Sequence, residues 1–236
     1  MKPIQQILRH GVIELKGQFM PGSNYTFLVH VTHEGATTQA VYKPSKGEQP
    51  LWDFPENTLA LREVAAYIVS EALGWHLVPF TTYREDGPFE AGSLQQYIAY
   101  DPQYHYFNFK PEDKARLANV VLFDLLINNA DRKGSHVIVE NETDHIYLID
   151  HGLSFHAEEK LRTVIWDFAG GEIEPALRDD LIRLRDHLRS NLRAELEPYL
   201  APAEIDALDA RAQHLIASRM YPLPPQDRRA FPYPPL

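Results

Sequence analysis

The chain of 236 residues contains no cysteine. Disulfides, thiolate metal centres and cysteine nucleophiles are therefore excluded, although that absence alone does not identify a reducing compartment. Long apolar runs are missing too. Nothing approaches the ~18 to 20 residues a membrane span needs, and the opening MKPIQQILRHGVIEL lacks the apolar centre of a secretion signal. A cytoplasmic protein without a transmembrane segment is the expectation. Positive charge is scarce, with 23 Lys and Arg against 33 Asp and Glu and a net charge of −10. Phosphate backbones and acidic lipids attract basic surfaces, so no nucleic-acid partner is expected and no general anionic-membrane binding. The imbalance is spread along the chain, 7 basic against 10 acidic residues in positions 1–98 and 16 against 23 afterwards, which leaves no charged tail. What remains is ordinary for a globular protein, 44% hydrophobic and 24% charged, and long enough for one large core or two lobes sharing a cleft.

The richest stretch runs from Asp124 to Phe155. His136–Glu140 (HVIVE), the polar turn NETD and His145–Asp150 (HIYLID) read as two strands joined by a short hairpin. A hairpin brings its outer ends together, so Asp131 before the first strand and Asp150 at the end of the second are expected to lie close. Two carboxylates gathered there can hold a divalent cation and offer a base. A single loop Asp is more often a turn or cap residue. The combination carries more weight: Asp131 is followed five positions on by His136, and Asp150-His151-Gly152 closes the next strand.

Upstream, residues 11–45 read as three short strands in an antiparallel meander. The first turn, Met20–Tyr25, carries Ser23 and Asn24, which can approach a phosphate or simply turn a hairpin. Lys43 ends the third strand, as a solvent-side residue or as an inward cation held for an anion. A helix is expected over 57–74, with Asn57 as cap and Gly74 as stop. Glu63 in its second turn reads, by itself, as a surface glutamate paired with Arg62 or a later residue. Between strand and helix lies a loop with Trp52 and Phe54, a lid or aromatic clamp over a cleft. Two further strands fall in 76–85 and 91–100. A single helix is expected over 110–129, with Asp124 supporting the loop that follows, and more helices over 176–220 with a fresh start at Pro202 and Glu204. The last 16 residues hold six prolines and read as an extended tail, docked or disordered.

The stretches NNADRKGSH (128–136) and LIDHGLSF (148–155) resemble the catalytic loop and metal-binding loop of the phosphatidylinositol 3-/4-kinase-like proteins, most closely the small bacterial members and then the type II phosphatidylinositol 4-kinases. The GE-x-PLWDFP run resembles the bacterial members as well, and the resemblance spans about residues 11 to 170. It implies an α+β, protein-kinase-like two-lobed fold: an N-lobe over 1–98 with a five-stranded antiparallel sheet and one helix, a mainly helical C-lobe over 99–220, and the Pro-rich tail over 221–236.

The resemblance further implies phosphoryl transfer from ATP with Mg²⁺ or Mn²⁺ to a hydroxyl acceptor, whether protein, lipid or small molecule. Asp131 would be the base, Asp150 and His136 the metal ligands, and Lys43 the phosphate-neutralising lysine held by Glu63. Ser23 and Asn24 would lie over the phosphates, and Tyr97 and Ile98 at the interlobe hinge beside adenine. His136 stands where the family has Asn, no Gly-x-Gly-x-x-Gly loop is present, and the Ala-Pro-Glu signature of protein kinases is missing. Two other readings use the same residues: a nucleotide-binding pseudokinase without transfer, and a metal-dependent hydrolase built on His136, Asp150, His151 and His156. No His-Glu-x-x-His pattern supports the second.

Overall fold

The computed structural model describes residues 3–18, 25–46 and 48–236; Ser23 and Asn24 lie outside them. The chain opens with a helix the sequence reading did not anticipate, α1 (Ile4–His10), followed by β1 (Val12–Gln18), β2 (Phe27–His33) and β3 (Ala36–Pro44). Seven residues are too short for a helical hydrophobic period to stand out. The helix forms because Ile7 and Leu8 are buried against the sheet, and because Arg84 donates to the carbonyls of Leu8 and Gly11 at its C-terminal end (2.7 and 2.9 Å).

Next come α2 (Leu59–Leu73), β4 (Thr81–Arg84) and β5 (Gly92–Gln96). The five strands form one antiparallel sheet in the order β1-β2-β3-β5-β4, so β3 is central. Strand alternation then decides what β3 presents. Ala40 and Tyr42 turn to the α1 side with Val29, Val31 and Leu94, which puts Val41 and Lys43 on the opposite face.

Gly74 ends α2 in the left-handed conformation, as expected. Asn57 does not cap its start. It has φ +60° and turns the chain into the helix, while Glu48 reaches across from the preceding loop to accept from the N–H groups of Leu59 and Ala60 (3.3 and 3.1 Å). A carboxylate there is favoured by the helix dipole.

The helical half contains α3 (Pro111–Ala115), α4 (Ala118–Ile127), the hairpin β6 (Val137–Val139) and β7 (Ile146–Leu148), then α5 (Pro175–Leu188), α6 (Leu192–Leu196) and α7 (Pro202–Ser218). The single helix expected over 110–129 is broken at Arg116–Leu117. α3 buries nothing, whereas α4 is buried on nearly every side, and the break lets one stay at the surface while the other enters the core. The hairpin pairs Val137 with Leu148 as the sequence pattern requires. Pro202 opens α7, and Glu204 accepts from the Ala201 N–H (2.9 Å). The Pro-rich segment is docked: Ala230 O accepts from Thr163 N–H, and Pro235 O from Gly134 N–H.

Among the described residues there are two large cores and a small cluster of Phe54, Leu59 and Ala130. One large core joins the sheet to α1; the other fills the helical half and also takes in Ala65, Ala66, Val69 and Leu73 of α2. Among the described residues no helix is long and apolar enough to cross a membrane.

Candidate active site

Lys43 stands at the centre of the cleft between the sheet and the helical half. Its Nζ donates to Glu63 Oε1 at 2.5 Å and to Asp150 Oδ1 at 2.6 Å. Lys43 comes from the central strand, Glu63 from α2 and Asp150 from the end of the hairpin, so one ammonium ties three elements together. Burial works against the charge on Lys43, but Asp150 and Glu63 outweigh it and push its pKa above the usual lysine range. Burial would likewise raise Glu63; Lys43 and His151 outweigh it and hold the carboxyl down at about 2. The second oxygen of Glu63 accepts from the His151 backbone N–H at 3.0 Å, so both oxygens are committed.

Lys43 beside Asp150 holds that carboxyl far below its usual range against the effect of burial, with His136 adding to it. Asp150 has φ +65°, a conformation non-glycine residues rarely adopt. It aims one oxygen at Lys43 and the other at His136, whose Nε2 lies 3.2 Å away. Burial lowers the His136 pKa to about 4, more than Asp150 raises it, so the ring is neutral at pH 7. Lys133 N–H lies 3.5 Å from its Nδ1, which favours the tautomer whose Nε2–H donates to Asp150. An Asp carboxylate suits Mg²⁺ or Mn²⁺ and neutral imidazole suits Mn²⁺. Asp150 and His136 are the side chains here that could hold a divalent cation, His136 only with its proton on Nδ1; among the described residues no group of three such side chains gathers.

Asp131 lies across from this cluster, its backbone N–H donating to the Asn129 side chain at 2.9 Å. Burial raises its carboxyl above the usual range, against Lys133, whose Nζ is 3.4 Å from Oδ2. Behind it, Arg132 is fully buried and donates from Nε and Nη2 to Asp124 at 2.9 to 3.1 Å and from Nη1 to the carbonyls of His136 and Ile149. Asp124 thus supports the loop, as its position on a mostly apolar helix implied.

Two cavities meet at Lys43 and Asp150. One of about 420 Å³ is mostly apolar, with Val41, Ile138, Ile149, Tyr97 and Ile98 in its walls. The other, about 220 Å³, is richer in charged side chains, with Glu63, Asp131 and Lys133 in its walls beside Gly152. The expected residues Lys43, Glu63, Asp131, His136 and Asp150 therefore gather around one cleft, with Tyr97 and Ile98 at its apolar end. Of the histidines of the hydrolase reading, His136 faces Asp150, but His151 and His156 do not join it there. His151 is fully buried with its ring edge-on to Phe123, and His156 stacks edge-on to Phe54. Trp52 is 90% exposed and held over Lys160, while Phe54 anchors the loop beneath. Lys133 was not singled out from sequence, though a Lys two positions past the expected base was a signal.

The relative that decides the family is protein Rv2133c of Mycobacterium tuberculosis, 37% identical over 263 aligned positions that span 97% of this chain and 94% of the relative. The chain belongs to the Rv2133c family. No protein-family model matches it. Solved structures similar to this Rv2133c-family chain include two named as kinases. The Helicobacter pylori proinflammatory kinase CtkA aligns with a TM-score of 0.56 and 12% identity over 89% of this chain and 93% of CtkA. Hydra Fam20, solved with sugar, gives 0.54 and 15% over 92% and 89%, and the golgi casein kinase 0.51 and 15% over 91% and 73%. At such identities the likeness establishes the fold, which is the two-lobed kinase-like one expected, with α1 added to the sheet half.

Proposed function

We propose that the chain is an ATP-dependent phosphotransferase of the phosphatidylinositol-kinase-like type, with residues 1–98 as N-lobe and 99–220 as C-lobe. The observation that carries this reading is the single ammonium of Lys43, shared by Glu63 and Asp150, on the boundary between an apolar cavity and a more charged one containing Asp131. The apolar cavity suits a base. Tyr97 N–H already donates to Gln39 O, so main-chain recognition of adenine falls to Ile98. Lys43 neutralises the α/β-phosphates, and Asp150 with His136 would hold a divalent cation, which would supply further positive charge against the phosphates.

Asp131 orients the acceptor hydroxyl and takes its proton as the new O–P bond forms; the bond from the γ-phosphorus to the bridging oxygen breaks and ADP leaves. A base that must be ionised benefits from a raised pKa at the cost of needing higher pH, and Lys133 keeps that cost small. Lys133 also supplies positive charge beside the transferring group. The acceptor is a hydroxyl compound of unassigned class: the fold's neighbours include both a casein kinase and a protein solved with sugar.

The test is turnover of ATP labelled in the γ-phosphate, to any acceptor including water and the protein itself, by the wild type and Asp131→Ala. Loss of turnover with nucleotide binding retained supports the reading. Nucleotide binding without turnover in the wild type supports the pseudokinase instead.

A further inference from the structure

Arg62 is the residue the cleft does not explain. It neighbours Glu63 on α2 but points away from it into the protein, and only 1% of it is exposed. Its Nη1 donates to Ser154 O at 2.6 Å, its Nη2 to Glu204 Oε1 at 2.6 Å, its Nε reaches Thr58 Oγ1 at 3.4 Å, and the guanidinium lies over the Phe54 ring at 5.0 Å. Ser154 follows Asp150 by four residues; Glu204 lies in the first turn of α7. Taking a guanidinium out of water is costly and is offset only when its donors are all placed, so a buried arginine of this kind fixes one arrangement among several.

The arrangement fixed is that of α2. Two successive residues of the helix grip the loop after the hairpin at its two ends, Glu63 through the His151 N–H and Arg62 through the Ser154 carbonyl. Glu204, which Arg62 also holds, is anchored in turn by the Ala201 N–H. The apolar face of α2 reinforces the docking, since Ala65, Ala66, Val69 and Leu73 sit in the core of the helical half. We infer that Arg62 is a positioning residue that locks α2 to the helical half, so that Glu63 and Lys43 stay engaged without any separate activating event. This rests on the phosphotransferase reading of the cleft, in which the Lys43–Glu63 pair prepares the site for the nucleotide phosphates.

The consequence is specific. Arg62 acts on phosphate binding through Lys43, so its loss matters only while Lys43 is present. The experiment is competition of ATP with Mg²⁺, and separately of adenosine, against a fluorescent adenine nucleotide on the full chain, in wild type, Arg62→Met, Lys43→Met and the double variant. The expected result is MgATP binding weakened about tenfold by Arg62→Met, adenosine binding changed less than twofold, and a double variant no weaker than Lys43→Met alone. Arg62→Lys, which keeps the buried charge but cannot reach Ser154 and Glu204 together, serves if the Met variant does not fold, and should show the same split between MgATP and adenosine. Equal losses for both ligands, or losses that multiply in the double variant, overturn the inference and leave Arg62 a general structural residue. Failure of the wild type to bind MgATP at all would strike the underlying reading, and an unchanged Arg62 variant beside a weakened Lys43 variant would strike only this inference.

Discussion

Two ion clusters adjoin where Arg132 donates to the carbonyl of Ile149, the residue before Asp150, and they are built differently. Asp124 and Arg132 are 1% and 0% exposed, with guanidinium donors spent on the carboxylate and on two carbonyls. Lys43, Glu63 and Asp150 are equally close-paired, yet the Lys43 and Asp150 side chains are 22% and 51% exposed and both border the cavities. A cluster closed on itself can only hold backbone in place. One that keeps an open side can exchange a protein partner for a ligand. Charge pairing alone therefore says little about function; the direction in which a pair is open says more.

The largest effect should come from opening the closed cluster. Arg132→Met leaves Asp124 buried without its partner, which costs about 3 to 5 kcal/mol and lowers the melting temperature by roughly 6 to 20 °C for a chain of this size. A melt within about 2 °C of wild type would remove the distinction between the clusters. Asp131→Ala should leave the melt and nucleotide binding nearly unchanged and reduce turnover by about 10² to 10⁴. Loss of folded protein in that variant would make Asp131 a structural acid.

In the open cluster, Lys43→Met and Asp150→Ala should each weaken MgATP binding by about 10- to 100-fold, the range for charge-assisted hydrogen bonds. Asp150→Ala alone should also abolish the difference between binding with and without the cation. Titration of the cleft with and without metal measures both, and equal metal dependence in wild type and Asp150→Ala would count against Asp150 as the ligand.

The smallest effect concerns protons. Asp131 has a raised pKa, chiefly through burial, so turnover should rise with pH along a limb displaced above the ordinary carboxylate range. Linkage gives the companion sign. A carboxyl whose folded pKa exceeds its unfolded one binds its proton more tightly when folded, so stability declines as pH rises through that interval. Asp131→Asn removes the ionisation, and at neutral pH it should melt slightly above wild type. A lower melt would mean that the ionised Asp131 is held by more than Lys133.

Much of this fold was readable because it follows alternation and turn chemistry: the three-strand meander, α2 with its Gly74 stop, and the hairpin that carries Asp150. What escaped the reading depends on tertiary partners. α1 is too short to show a period and exists because the sheet and Arg84 receive it. The cap of α2 comes from Glu48 across a loop, where local sequence pointed to Asn57. The break at Arg116–Leu117 reflects where the core begins, which an unbroken helical pattern conceals.

The cleft shows the same division. Spacing singled out Asp131, His136 and Asp150, whereas Lys43 and Glu63 came to notice only through the resemblance to the kinase-like family. The bland alternative for Glu63, a surface pair with Arg62, does not hold: Glu63 takes Lys43, and Arg62 crosses to Glu204, 142 positions away. No local rule contains that contact.

The central claim is that the open cluster awaits a metal-nucleotide. Its most direct test is the melting temperature of the whole chain with ATP and Mg²⁺ or Mn²⁺ together, each alone, and neither. At about 100 times its dissociation constant a ligand adds ~2.7 kcal/mol, roughly 5 to 10 °C for this length. The account predicts such a rise with nucleotide and cation together, lost in Lys43→Met. No rise with the pair, or a full rise with cation alone, would contradict it.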